Sequence, residues 1–264
     1  MTLKEPLHSL QLLSAALVAI VAASASAQAG SNARPDLSGI WQALNTANWE
    51  LEAHGAEAGP PTLGALLAVP PGVSVVVGGE IPYLPVALER RRANRANRWT
   101  ADPEIKCFMP GVPRANYMPY PFQIVQGTDT IMMTYEFADA VRIVHLNDPG
   151  EAPADSWMGW NVGRWDGATL VVDVTAQHDD TWLDRSGNYH SNALHVVERY
   201  TLRSPDVLLY EATLEDPNVF SRPWTIRMPL YRRLDENAQL MEFKCIPFAE
   251  HALYESIGAE PSGN

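Results

Sequence analysis

The stretch GWNVGRWDGATLVVDVT, residues 159–175, gives the strongest indication of the fold of this chain. It has two runs rich in β-branched and aromatic residues on either side of Asp166-Gly167. An Asp-Gly pair supplies the positive φ angles that a two-residue hairpin turn requires, and β-branched and aromatic residues favour strands. The stretch therefore predicts a β-hairpin with strands near Met158–Trp165 and Thr169–Thr175.

Similar runs recur at short intervals on both sides of this hairpin. They lie at Ile40–Leu44, Phe122–Gln126, Thr130–Phe137, Val141–Leu146, His195–Leu202, Val207–Leu214, Trp224–Arg232 and Leu240–Cys245. Consecutive short strands joined by tight turns are typical of an antiparallel meander. The sequence predicts a mainly β fold, in which the meander closes into a lipocalin-like barrel or a strongly curled sheet.

The run that begins at His195 carries ionisable residues on both faces. Strand alternation places His195 and Arg199 on one face, and Glu198 and Tyr200 on the other. Apolar residues separate them on each face. A barrel with a partly polar lumen would give this pattern, whereas a plain dry core would not.

Residues 30–121 are rich in proline and glycine and are predicted to wrap the β core, residues 122–254, as part of the same domain. The wrap includes an apolar run, Val73–Val77, and one short helix that begins near Val86. A solvated helix face is predicted from the arginines at positions 90, 91, 92, 95 and 98. Residues 255–264 are predicted to be a frayed tail.

The first 29 residues have the pattern of a bacterial export signal. Lys4 precedes an apolar run, Leu10–Ala23, that is short for a membrane span and is followed by small residues around Ala25-Ser26-Ala27. We predict that residues 1–29 are a signal peptide and that the mature chain, about 235 residues long, is periplasmic or secreted. The alternative is an uncleaved membrane anchor. No membrane contact is expected after cleavage.

Charge and cysteine content narrow the class of protein. A formal net charge of −12 argues against nucleic acid as a partner, because nucleic-acid-binding surfaces are basic.

The two cysteines, Cys107 and Cys245, favour a structural disulfide in an exported protein. This bond would tie the front of the domain to its last strand. Two free buried thiols are the alternative.

The segment His178–Arg199, HDDTWLDRSGNYHSNALHVVER, concentrates the residues that can carry chemistry. A neutral histidine can accept or donate a proton near pH 7, and a nearby carboxylate can orient its ring. We predict proton transfer by His190 and His195, oriented by Asp179 and Asp184. Supporting roles are predicted for Glu198, Arg199, Tyr189 and Trp182.

This pattern predicts an exported protein that binds a small apolar or aromatic molecule, because barrels provide concave and mostly apolar sites. The chemistry expected is cofactor-free acid–base catalysis, as in an isomerase, lyase, cyclase or hydrolase. One alternative is a carrier or sensor without catalysis, which the supply of tryptophans favours.

Two further interpretations of the polar segment remain open. A metal-dependent enzyme could take nitrogen and oxygen ligands from His178, Asp180, Asp184, His190 and His195. The spacing of these residues matches no familiar compact metal motif. In a structural interpretation, Asp184 caps the turn that follows it through an Asx hydrogen bond.

Nearly the whole mature chain resembles a large family of uncharacterised secreted bacterial proteins. The resemblance is carried by PDLSGIW (35–41), CFMPGVPR (107–114), PFQIVQ (121–126), GWNVGRWDGATLVVDVT (159–175), DDTWLDRSGNYHSNALHVVERY (179–200) and EDPNVFSRPWT (215–225). It implies export and an all-β fold, and it brings no activity with it. The chain departs from the family pattern at His178, where asparagine is usual.

A second resemblance concerns the opening strand. Asp36-Leu37-Ser38-Gly39-Ile40-Trp41 is similar to the Gly-x-Trp strand of lipocalin-like (calycin) barrels. In those barrels the tryptophan plugs one end, so the resemblance implies the same position for Trp41.

Overall fold

Nine strands follow one another around a closed barrel, which confirms the predicted mainly β fold. The computed structural model describes residues 34–255 apart from residues 61–64 and 66. The strands are β1 (Gly39–Ala43), β2 (Phe122–Gln126), β3 (Thr130–Tyr135), β4 (Val141–His145), β5 (Trp160–Asp166), β6 (Thr169–Thr175), β7 (His195–Ser204), β8 (Val207–Glu215) and β9 (Trp224–Arg232). The barrel closes because β1 pairs with both β2 and β9.

One strand pair departs from the predicted meander. The hairpin of β5 and β6 forms as expected, with Trp165 opposite Leu170, but β4 and β5 pair in parallel. Val144 lies opposite Asn161 in that pair. Residues 146–159 connect the two strands, and a connection of this length can return the chain to the end at which β4 began.

The helices lie outside the barrel wall. The predicted basic helix is α1 (Pro85–Ala96), and two others follow, α2 (Arg98–Ala101) and α3 (Pro247–Glu255). Pro85 suits the first turn of α1 because its missing N–H has no partner there. The prediction of a strand at Leu240–Cys245 is wrong, since these residues form no regular element. Their neighbours in the chain lead into α3 rather than back to the barrel.

The basic face of α1 is not simply solvated. Arg91 donates to Glu50 and Glu52, at 3.1 and 2.8 Å. Arg95 donates to Glu50 at 2.9 Å and also pairs with Glu57. These contacts fasten α1 to the segment that follows β1, so part of the predicted solvated face is an interface within the chain.

Inward-facing side chains make the core. On β9 the residues Trp224, Ile226, Met228 and Leu230 are buried, and their neighbours are more exposed, as alternation requires. Trp41 is fully buried, and its indole N–H donates to the carbonyl of Leu37 at 2.9 Å. The Arg232 guanidinium lies 4.3 Å from the Trp41 ring centre, where β9 ends.

The other end of the barrel is covered by long connections, and we call it the capped end. Neighbouring strands alternate in direction except for the parallel pair β4 and β5, whose connection runs from one end of the barrel to the other. The connections β1–β2, β3–β4, β6–β7 and β8–β9 therefore all lie at the capped end. Among them are the wrap and the polar segment 178–194. The apolar run of the wrap adds a short bridge to β9, in which Val76 lies opposite Ile226.

The predicted disulfide between Cys107 and Cys245 is confirmed. It joins positions 138 residues apart and fixes the segment after β9 to the short 3-10 helix Pro103–Lys106. Because the predicted last strand does not form, the bond stabilises an irregular segment rather than a strand.

Two predictions fall on residues outside the described part of the chain. These are the signal peptide, residues 1–29, and the tail beyond Glu255. Among the helices that are described, none has the length and apolar character needed to cross a membrane.

Candidate functional site

The fold divides the polar segment 178–199 among three environments. Asp184 lies in a loop that packs on the wrap, and His190 follows that loop and bonds to Thr181 and Ser191. The residues from His195 onward belong to β7. The four residues predicted to act together are not hydrogen bonded to one another. The structure therefore does not assemble the predicted proton-transfer group.

Asp184 organises the loop. Its carboxylate accepts hydrogen bonds from the amides of Leu51, Ser186 and Asn188 at 2.9, 3.0 and 3.1 Å, and from the Asn188 side chain at 2.6 Å. Burial raises the pKa of Asp184 to about 6, against the effect of these donors. The contacts match the structural interpretation, in which Asp184 caps its turn, and they add a link to the wrap.

His190 is buried and has a partner on each ring nitrogen. Nδ1 lies 2.9 Å from the carbonyl of Ser191, and Nε2 lies 2.6 Å from the Thr181 hydroxyl. Since a carbonyl only accepts, Nδ1 carries the proton and Nε2 accepts from Thr181. Burial lowers the pKa of His190, which favours this neutral form.

His195 and Arg199 lie on the outer face of β7. The His195 side chain is 40% exposed, with Nε2 3.3 Å from Asp173. Arg199 donates to Asp166 at 2.9 Å, and both side chains are exposed. These are surface contacts, which contribute little to stability, and they do not face the lumen.

The remaining predicted residues are spread over the capped end. Asp179 and Asp180 are exposed. The His178 ring packs 5.3 Å from that of Trp157. Trp182 and Tyr189 are both buried, and they form an isolated β-bridge across the loop.

The metal alternative finds no support in the described part of the chain. No three histidine, cysteine, aspartate or glutamate side chains in it come together as a metal site requires. His190 uses both ring nitrogens in other bonds, and Asp184 accepts from four donors.

A different polar cluster lies inside the barrel, centred on Glu198. This carboxylate is fully buried. Its Oε1 accepts from Asn116 at 2.8 Å, from Tyr200 at 3.0 Å and from Tyr210 at 2.7 Å. Its Oε2 pairs with the buried guanidinium of Arg142. We call these residues, with Tyr135 and Asn161, the lumen cluster.

Tyr135 and Asn161 bind the partners of Glu198 rather than Glu198 itself. Arg142 Nε donates to the Asn161 side chain at 2.7 Å, and the Tyr135 hydroxyl donates to Asn116 at 3.0 Å. Burial, with the nearby Glu198 charge, raises the pKa of Tyr200 well above its usual value. The tyrosines therefore remain protonated donors, and the Glu198–Arg142 pair leaves the cluster without net charge.

The sequence interpretation named one member of the lumen cluster, Glu198, as a supporting residue, and did not predict the cluster as a site. Alternation placed Glu198 and Tyr200 together on one face of β7, which was the available signal. Arg142 sits on the inward face of β4, and Asn116 comes from a 3-10 helix, Arg114–Tyr117, in the proline-rich wrap. Their approach to β7 depends on barrel closure, which local pattern does not encode.

A cap holds Asn116 in the lumen. Gln177 bonds both the amide and the carbonyl of Val112, at 2.7 and 2.9 Å. The Tyr117 hydroxyl donates to the carbonyl of Leu183 at 2.8 Å. The wrap and the polar segment thus close the barrel together.

Buried charges anchor this cap. Arg114 donates to Asp102 at 2.9 Å and to Glu104 at 2.6 Å, and Arg185 donates to Glu104 at 2.7 Å. Burial opposes the ionisation of Glu104, but Arg185 and Arg114 outweigh it and hold its pKa at about 2.

Acid should therefore weaken the cap. The Glu104 carboxylate stabilises the fold fully above its ordinary pKa of 4.5 and loses this contribution as the pH falls towards 2. The loss is about 3 kcal/mol. Urea unfolding from pH 5 to pH 2.5 should show a steeper decline for the wild type than for Glu104→Gln. The exposed Glu236→Gln variant is the control, and a wild-type slope equal to that of Glu104→Gln would contradict the assignment.

The two predicted catalytic histidines should differ in their effect on stability. His190→Ala should lower the free energy of unfolding by about 2–4 kcal/mol, because it leaves a cavity and unpaired polar groups. His195→Ala should change it by less than about 0.5 kcal/mol, as expected for a surface position. Thermal unfolding of both variants measures this, and equal melting temperatures would contradict it.

An open cleft of about 600 Å³ lies outside the barrel, beside α1. Its wall includes Glu50, Glu52 and Glu57, whose carboxylates pair with Arg91 and Arg95. A charged wall of this kind does not suit the apolar ligand that the sequence predicts. The lumen cluster is therefore the better candidate site.

Comparison with models of known protein families and with curated proteins finds no match. The fold and the lumen cluster define the chain as a closed nine-stranded barrel with a polar cluster in its lumen.

Proposed function

We propose that this protein is an exported binder of a small apolar or aromatic molecule, held through a polar group near the lumen cluster. Closed barrels are a common form of small-ligand site, with a mostly apolar wall and few polar groups. The observation that carries the proposal is the fully buried Glu198–Arg142 pair inside the barrel, among inward-facing side chains that are mostly apolar.

Stability alone does not explain this pair. Taking two charges out of water is costly, and well-packed apolar residues of similar volume are often equally or more stabilising. Recognition of a polar group supplies a reason to keep the pair. Asn116, Tyr200 and Tyr210 all donate to one oxygen of Glu198, so a ligand could exchange for one of these bonds without stranding the others.

The positions of the two predicted catalytic histidines favour binding over catalysis. His190 is engaged on both ring nitrogens, and His195 lies on the outer face, away from the lumen cluster. The proposed role is therefore that of a carrier or sensor. Export is supported by the disulfide, because such bonds persist in oxidising compartments.

Titration with 1-aminoanthracene, an aromatic fluorophore with one polar group, tests the proposal. The test variant is Glu198→Leu/Arg142→Met, which replaces the buried pair by apolar residues. The matched control is Glu211→Leu/Arg227→Met, which removes an ion pair on the outer face of β8 and β9. We expect saturable binding to the wild type and the control, with affinity at least about tenfold lower in the lumen variant, equivalent to about 1.4 kcal/mol.

Equal affinity for all three proteins, or no saturable binding to the wild type, would contradict the proposal. Circular dichroism spectra should confirm that the lumen variant retains the β fold.

A further inference from the structure

We propose that the indole N–H of Trp224 anchors the ligand at the capped end, and that the ligand carries a hydrogen-bond acceptor, such as a carbonyl or ether oxygen, on an apolar skeleton. The inference rests on the proposed function and specifies the ligand chemistry.

Trp224 lies at the capped end of the barrel, among the residues that fill the lumen there. It is the first residue of β9, at the capped end, and lies on the inward face with only 3% of its surface exposed. It pairs with Leu214 of β8. The ring of Phe220, from the β8–β9 connection, lies 5.2 Å away at an interplanar angle of 77°.

The indole nitrogen of Trp224 is a buried donor that has no acceptor among the described residues. Two other tryptophans have an acceptor for the indole N–H: Trp41 donates to the carbonyl of Leu37 at 2.9 Å, and Trp160 donates to the carbonyl of Gly150 at 3.1 Å. A buried polar group without a partner costs free energy. An acceptor on a bound molecule would recover that cost.

The surroundings of Trp224 specify the rest of the ligand. Ala212 pairs with both Glu198 and Ile226, so Glu198 is one inward layer below Trp224. Two residues along a strand correspond to about 7 Å, and β7 and β9, two strands apart, are separated by about 10 Å across the sheet. Ala212, Leu214 and Ile226 are apolar and buried. The ligand that we infer therefore carries its acceptor at one end, towards Trp224, and an aromatic or alicyclic ring against these apolar side chains.

The test compares two probes that differ only in the acceptor. Acetophenone has a carbonyl oxygen, and α-methylstyrene has a methylene group in its place. The indole N–H signals are followed in ¹⁵N-labelled protein, and the Trp224 signal is identified by its loss in Trp224→Phe. Trp165→Phe, which alters a partly buried tryptophan packed against the core, is the control.

We expect acetophenone to move the Trp224 signal downfield and to bind about fivefold more tightly than α-methylstyrene, as one hydrogen bond provides. The preference should vanish in Trp224→Phe and persist in Trp165→Phe. The affinities of the two probes for the wild type are compared without any variant, so that part of the result does not depend on how Trp224→Phe folds.

Equal binding of both probes with an unmoved Trp224 signal would overturn this inference and leave the proposed function standing. An upfield-shifted signal that acetophenone does not change would assign the N–H to the ring of Phe220, which also overturns it. Failure of both probes to bind the wild type would contradict the proposed function as well.

Discussion

Glu198→Ala is expected to lower the free energy of unfolding by about 3–5 kcal/mol. The substitution leaves the Arg142 guanidinium buried without its counter-charge, and breaking one side of a buried ion pair costs about this much. It also removes the acceptor of the Tyr200 and Tyr210 hydroxyls. Equilibrium unfolding in urea, with two-state behaviour checked by fluorescence and circular dichroism, measures the change.

Three comparison variants isolate the cause of this loss. Glu198→Leu/Arg142→Met removes both charges and should stay within about 2 kcal/mol of the wild type. Glu198→Gln keeps the shape and should fall between the two. On the outer face, Glu211→Ala breaks a pair with the exposed Arg227 and should cost less than about 1 kcal/mol.

A loss below about 1 kcal/mol for Glu198→Ala would mean that Arg142 reaches water when its partner is gone. The lumen would then be open to solvent from the capped end. A double variant as unstable as Glu198→Ala would instead show that packing, not charge, dominates at this position.

Strand pattern was enough to predict a mainly β fold that closes into a barrel or curls strongly, and the structure is the closed barrel. Alternation and turn chemistry are local properties, and they gave the bounds of β2, β6 and β9 as the structure has them. Alternation also placed Glu198 and Tyr200 on one face of β7. The parallel pairing of β4 and β5 was missed because a strand's own residues do not specify the direction of its neighbour.

The lumen cluster required information that the sequence does not carry locally. Glu198 meets Arg142 across 56 positions and Asn116 across 82. The segment His178–Arg199 led to a wrong expectation for the opposite reason. Its polar residues are close in the chain, but the fold separates them. Strand alternation turns His195 outward, and the Asp184 turn holds its carboxylate towards the backbone of the wrap.

The prediction of a strand at Leu240–Cys245 was wrong because the apolar residues of this segment pack against other aromatic side chains and do not pair with a strand. Phe243 packs against Tyr120 and Phe137, with ring centres 4.7 and 5.4 Å apart. Aromatic contacts and the disulfide hold this segment in place without strand pairing. A short apolar run bounded by polar residues does not distinguish these outcomes.

Removal of the disulfide, by Cys107→Ser/Cys245→Ser, should lower the free energy of unfolding by about 5 kcal/mol. The bond closes a loop of 138 residues, and in the chain-entropy model a loop of this length restricts the unfolded chain by that amount. Urea unfolding of the oxidised wild type and the double serine variant measures the difference.

Most of this loss of stability should come from the greater freedom of the unfolded chain. A second variant measures the contribution of the packing contacts beside the disulfide in the folded state. Phe243→Ala removes the aromatic contacts beside the bond but keeps the bond itself, and should cost about 2–4 kcal/mol if the segment is packed as a core element. Limited proteolysis shows which part of the folded double serine variant becomes accessible to the protease. Since the barrel closes through β1 and β9 without this segment, the double serine variant should be cleaved in the segment that follows β9, for example at Lys244, while the barrel stays intact. Cleavage inside the barrel strands would contradict this, because it would make the disulfide part of what keeps the barrel closed.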